Sequence, residues 1–210
     1  SVNLYRDIQI LGYSGGKLHV PYVTTHKGVE LIRDAKKRNL DITASTSIAH
    51  LILSDKDIDN FNTNLKIIPP LRSKIDSESI KQALIDGTID YLTSMHEPIH
   101  LDNKKVVFDH ASPGSIGLEC VFGIMCNNFT LEKTIDILTR NKTIFDIQDQ
   151  DISIGSHANL TLFNPDKSYE FSNEHILSTS KNCAFIGAKL KGVVYGSINN
   201  NNSTLNKLWT

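Results

Sequence analysis

The sequence predicts an α/β protein: a parallel sheet with crossover helices, followed by a smaller all-β portion. Three observations carry this. Strand-like and helix-like segments alternate through the first two-thirds of the chain. The helical segments are long enough to return the chain to the same edge of a sheet, as parallel pairing requires. After about Ile147 the texture changes to short β runs punctuated by glycine. The 210 residues are enough for one large domain with a small appendage.

The elements are read in chain order. Lys17–Thr25 is short, rich in β-branched residues and preceded by Gly15-Gly16, which predicts a strand. From Thr25 to Arg38 apolar Val29, Ile32 and Ala35 recur every three residues between charges, the pattern of an amphipathic helix. Asp41–Ser47 is a second strand. Leu65–Ile68 is a third, stopped by Pro69-Pro70, because proline has no N–H for the ladder. Asp76 or Ser77 caps the next helix, which turns Ile80, Ala83 and Leu84 inward and ends at Gly87. Ile89–Ser94 is a fourth strand, and helical patterns follow over Ile116–Cys126 and Leu131–Thr139. Asp151–Leu162 and Ala184–Ile198 read as β segments, and the Asn199–Asn202 run as a disordered tail. Four parallel strands are half of an eight-stranded barrel or a small doubly wound sheet; periodicity does not decide between them. The expected division is 1–147 for the parallel part, 148–198 for the β part and 199–210 for the tail.

Composition narrows the function classes. A formal net charge of -1 argues against a broadly basic nucleic-acid binder. No apolar run reaches the roughly 18 residues of a membrane span, and Ser1–Asp7 is too polar to open a signal peptide. Cys120, Cys126 and Cys183 are odd in number and lack CxxC spacing, which points to buried thiols in a reducing cytoplasm. The chain opens on Ser1 and its methionines are Met95 and Met125, so a processed or partial chain is expected.

His96-Glu97-Pro98-Ile99-His100 spells HExxH. That motif needs a helix, where histidines at i and i+4 share a face and hold zinc. Pro98 in its middle costs about 3 kcal/mol in a helix interior and pushes Glu97 away from helical backbone. The segment is therefore read as a loop following a strand. His19 and His50 stand on or just past strands, Arg72 suits carboxylate recognition, and Gly114–Gly117 offers backbone donors to an anion; singly, each is equally ordinary as structural filler.

Taken in order, KLHVPYVTTHKGVELIRDAKKRNLDITAS, LKIIPPLRSKIDSESIKQALIDGTIDYLTS, KKVVFDHASPGSIGLE, IGSHANLTLFNP and NCAFIGAKLKGVVYGSI resemble the second half of a dihydroorotase, in the cyclic-amidohydrolase branch of the amidohydrolase superfamily. The likeness runs from about Arg6 to Ile198. It implies the C-terminal half of a TIM (β/α)8 barrel, strands five to eight, with part of a small β-sandwich. It implies zinc-dependent, reversible hydrolysis of dihydroorotate to carbamoyl-aspartate in pyrimidine biosynthesis. A metal-bound water would be the nucleophile, and a carboxylate on the last strand would shuttle its proton.

The same resemblance marks departures. The family's metal-ligand histidine on strand five is matched by Tyr22 and that on strand six by Ala49, while the neighbouring histidine is kept as His50. The asparagine before the paired prolines is matched by Ile68, and the catalytic aspartate by Met95, with the following histidine kept as His96. A phenol with pKa about 10, a methyl group and a thioether replace groups that bind zinc or accept a proton. No catalytic residue and no metal ligand are therefore expected from this chain. Arg72, His96, Pro113 and Gly114 remain as substrate-contact positions by resemblance. His19, His50, His96 and His100 are alternative ligands for zinc should the site be rebuilt with groups from elsewhere. A dihydroorotase-like protein with impaired or no activity is expected; the alternative is an active zinc enzyme completed by an N-terminal half. Expected partners are that missing half or a second chain, in a homo-oligomer, with aspartate carbamoyltransferase as a further candidate. No nucleic-acid or membrane partner is expected.

Overall fold

A computed structural model describes residues 1–140, 142–145, 147 and 152–206. The chain forms two compact units. The first comprises Ser1–Leu118 with Ser178–Ala184; the second comprises Glu119–Leu177 with Phe185 onward.

The first unit opens with α1 (Val2–Ser14), a helix the sequence reading did not anticipate. Leu4, Ile8 and Leu11 fall on one helical face at three- and four-residue spacing, and Ile8 and Leu11 are buried. Gly15 and Gly16, both at positive φ, then turn the chain into β1 (Leu18–Val20). This strand is shorter than the nine residues read from the sequence, because the chain leaves the sheet at Pro21 and Tyr22 takes left-handed backbone.

Helix α2 (His26–Lys37) is capped by Thr25, whose hydroxyl accepts the Gly28 N–H, and it buries Val29, Ile32 and Ala35. Strand β2 (Ile42–Ser47) passes directly into α3 (Ile48–Ile52). Helix α4 (Lys74–Asp86) is capped by Ser73 rather than by Asp76 or Ser77, since the Ser73 hydroxyl accepts the Asp76 N–H. It buries Ile80, Ala83 and Leu84 and ends at Gly87 in the left-handed region, as expected. Strand β3 (Tyr91–Thr93) completes a parallel sheet in the order β1-β2-β3. His19 is in register with Thr43, and Ser45 with Tyr91.

The strand expected at Leu65–Ile68 is absent: a 3-10 turn occupies Thr63–Leu65. The Lys66 N–H bonds the Thr63 carbonyl, and the Lys66 carbonyl is taken by the Gly114 N–H. This backbone spends its hydrogen bonds on turns, so among the described residues three parallel strands stand in place of the four expected. Ile67 is buried and Ile68 exposed, an alternation that mimics a strand.

In the second unit, α5 (Val121–Asn128) begins five residues later than expected, and α6 (Leu131–Thr139) matches its expected bounds under a Thr130 cap. The β segments form one antiparallel sheet, β4 (Asn159–Glu170), β5 (Lys189–Asn199) and β6 (Asn202–Leu205), in that order. Asp151, at the start of the expected β run, lies outside the described residues. Asn199–Asn202 is the turn of the β5–β6 hairpin rather than a disordered tail. Asn200 supplies the positive φ that the turn needs, a conformation asparagine tolerates.

Among the described residues no helix is long and apolar enough to cross a membrane.

Candidate functional site

The side chains of interest lie at the ends of the three parallel strands and on the segments that follow them. Past β1, Tyr22 sits at φ 51; past β3, Met95 sits at φ 49. Left-handed backbone costs of order 1–3 kcal/mol at a non-glycine residue, and such outliers cluster at functional sites. Met95 is 4% exposed and Ala49, inside α3, is 3% exposed.

His50 is 2% exposed and fully engaged. Its Nε2 lies 2.8 Å from the Pro69 carbonyl, which can only accept, so Nε2 carries the proton. Nδ1 then accepts from the Ser47 hydroxyl at 2.7 Å, while that hydroxyl accepts the His50 backbone N–H. Burial lowers the imidazole pKa, and the Arg72 charge adds to this against the opposing pull of the Pro69 and Pro70 backbone. A neutral ring with both nitrogens committed is a structural histidine.

His19 projects from β1 onto the sheet face that also carries Thr43, Ser45 and Tyr91. Nδ1 is 2.9 Å from Thr43 Oγ1, and Nε2 is 3.2 Å from Ser45 Oγ and 3.0 Å from the Tyr91 hydroxyl. The ring stacks on Tyr91 at 5.2 Å between centroids. Burial lowers its pKa, opposed by the Asp90 charge. This network spans all three strands.

Residues 96–100 form no helix; the segment runs extended to a 3-10 turn at Leu101–Asn103, as Pro98 requires. His96 Nδ1 accepts the Leu118 N–H at 3.3 Å. His100 is exposed and pairs with Asp102, 3.4 Å away. Burial raises the Glu97 pKa, opposed by the Lys104 charge. The four histidines proposed as alternative ligands thus occupy separate settings. Among the described residues no three His, Cys, Asp or Glu side chains gather so as to hold a metal.

Arg72 is exposed, and its carbonyl accepts the Asp55 N–H. Pro113 is half-buried and leads into Gly114 at φ 137, where a Cβ would lie 2.8 Å from Ile99 Cγ1. Gly117 is equally constrained: a Cβ there would run into the Ser94 carbonyl. Two backbone donors of this glycine segment, and that of Leu118 after it, are already used. Gly114 N–H bonds the Lys66 carbonyl, Ile116 N–H the Asn182 carbonyl, and Leu118 N–H the His96 ring.

Two residues the sequence reading passed over hold these loops. Asn182 is 5% exposed. Its Nδ2 donates to the Glu97 and Gly114 carbonyls at 3.0 and 3.1 Å, and its Oδ1 accepts the Ile99 N–H at 3.1 Å. Lys104 is buried, donates to the Thr63 carbonyl at 2.8 Å, and has its pKa lowered to about 8 by burial and by the Lys66 charge. Neither carries a local signal, since Asn182 reaches its partners across 68 to 85 residues of sequence.

Comparison with known proteins gives this geometry a context. No family model matches the chain. The curated protein named dihydroorotase from Endomicrobium trichonymphae is 38% identical over 199 residues, 91% of this chain and 47% of that protein. The dihydroorotase of Caldanaerobacter subterraneus is 36% identical over 200 residues, 92% of this chain and 46% of that protein. The chain is homologous to the C-terminal half of the dihydroorotases. It spans about half the length of the curated relatives it matches.

The solved structures agree on the fold. L-hydantoinase (dihydropyrimidinase) from Arthrobacter aurescens superposes with a TM-score of 0.85 at 22% identity, covering 97% of this chain and 48% of that one. The inactive dihydroorotase-like domain of the Chaetomium thermophilum CAD-like multifunctional protein gives a TM-score of 0.69 at 21% identity, covering 97% and 55%. The fold is thus part of a TIM barrel, as the sequence led one to expect.

Dihydroorotase resemblance implies zinc, and the residues here do not fit it. Ala49 has no donor atom, Met95 offers a buried thioether, Tyr22 offers a phenol, and both His50 nitrogens are engaged.

Proposed function

We propose that this chain is the C-terminal half of a dihydroorotase-like protein with impaired or no catalytic activity. Its role is structural or regulatory, in pyrimidine biosynthesis in the cytoplasm. One observation carries the reading. The loops of the site are held by the buried Asn182 amide, while the three positions at which the family resemblance places ligands and proton acceptor carry Tyr22, Ala49 and buried Met95. Losing one such group is compensable; losing all three together argues against metal-assisted hydrolysis. A solved inactive dihydroorotase-like domain with the same fold supports the reading by analogy.

The open edges of β1 and β3 call for a covering partner. The proposed partner is a polypeptide carrying the other half of the barrel or a second copy of this chain, with aspartate carbamoyltransferase as a further partner. The test is elemental analysis of zinc combined with a dihydroorotate hydrolysis assay on the intact protein. Substoichiometric zinc without turnover is expected. Stoichiometric zinc with turnover would establish instead an active enzyme whose ligands come from the other half.

A further inference from the structure

A concavity of about 440 Å³ is lined by Asn60, Phe61, Val106, Val107, Phe108 and Asp109. Its volume is in the range of small-ligand sites, which run from about 300 to 1,000 Å³. Two loops supply the walls, and both are pinned. Lys66 Nζ donates to the Phe108 and Asp109 carbonyls at 2.8 and 2.9 Å. The Lys104 amine and the Thr63 hydroxyl each donate to the other residue's carbonyl, both at 2.8 Å.

The chain invests strain here. Asn60 and Phe61 are consecutive non-glycine residues at φ 53 and 51, and Phe61 is held 72% exposed. Its ring meets Phe108 edge-on at 5.8 Å. The Lys66 ammonium, itself outside the lining, stands 5.5 Å from the centre of the Phe108 ring, so that ring already carries a cation and the Phe61 ring is the one left to a ligand. The one charged residue among those lining the cavity is Asp109, which is exposed and makes no side-chain ion pair among the described residues. Aromatic faces, aliphatic walls and a carboxylate together select a cation with an apolar body.

We propose that this concavity binds an organic cation, an alkylammonium group whose methyl or methylene carbons contact Phe61, Val106 and Val107 while its charge faces Asp109. The same chemistry is offered by a free amine and by a methylated lysine side chain of another protein. The test is a ¹H–¹⁵N NMR titration of the full chain with choline, with its neutral carbon isostere 3,3-dimethylbutan-1-ol, and with a capped peptide carrying trimethyl-lysine.

Saturable shifts at Asn60, Phe61 and Val107–Asp109 are expected with choline or the peptide, the tighter of the two naming the source. Binding of the isostere is expected to be at least about tenfold weaker, in keeping with the loss of charge. Phe61→Ala and Asp109→Asn, both at exposed positions, are each expected to weaken binding about fivefold or more while leaving the rest of the spectrum in place. Equal binding of the isostere, unchanged affinity in Asp109→Asn, or no saturable shift with either cation overturns the proposal.

Discussion

Replacing Asn182 by alanine tests how the loops around the strand ends are held. The substitution removes three side-chain hydrogen bonds and leaves the Glu97 and Gly114 carbonyls and the Ile99 N–H without those partners. Gly114 is buried, while Glu97 and Ile99 are half-buried. A net hydrogen bond is worth about 1 kcal/mol, and an abandoned buried group costs about 1–3 kcal/mol. One fully buried and two partly buried losses sum to about 3–4 kcal/mol. With a urea slope of about 1–3 kcal/mol/M, the midpoint should fall by more than about 1 M. Amide exchange at Ile99 should accelerate in step, because its acceptor is gone. Asn182→Asp keeps size and the Oδ1 acceptor but loses both donors, so it should not rescue. A loss under about 1 kcal/mol with unchanged exchange at Ile99 would show that the loops are held by something else, and the reasoning would fail.

Three further outcomes are expected. The folded-state pKa values of His50 and His19 are lowered, so the unfolded chain takes up protons first as pH falls; stability should be full above about pH 6.5 and decline below it, and His50→Gln should flatten that decline in urea melts at pH 5 to 7. Lys104 titrates at about 8 in the folded chain against 10.5 unfolded, so stability should rise between those values as the unfolded state gives up its proton later; Lys104→Met should abolish the rise. Gly117→Ala places a Cβ on the Ser94 carbonyl and should cost about 1–3 kcal/mol, read as a lowered melting temperature, whereas Gly155→Ala meets no atom within 4 Å and should show only the penalty of its positive φ.

The legible parts of the fold were those written in local code. The helices α2 and α6, the Gly87 stop and strand β2 follow from apolar spacing, caps and β-branched runs within a dozen residues. Leu65–Ile68 misled because a short apolar run ending at Pro69-Pro70 looks like a strand, whereas its Lys66 carbonyl bonds Gly114, nearly fifty residues onward. Helix α1 is written only in the spacing of Leu4, Ile8 and Leu11, which the polar residues at its start dilute. At the site, the reading of Tyr22, Ala49 and Met95 as replaced positions rests on the family resemblance. The role of Asn182 was not legible, because a single buried amide bridging two distant loops leaves no periodic trace. The commitment of His50 to Pro69 was hidden for the same reason.

The left-handed backbone at Tyr22 and Met95 has one more consequence. Neither a tyrosine nor a methionine favours that conformation, so the neighbouring segments must impose it. Where surrounding scaffold dictates the contour of a position, the residue standing there is exchangeable at little cost to shape. Chemistry can then be rewritten at the rim of such a barrel one side chain at a time, without the framework registering the change.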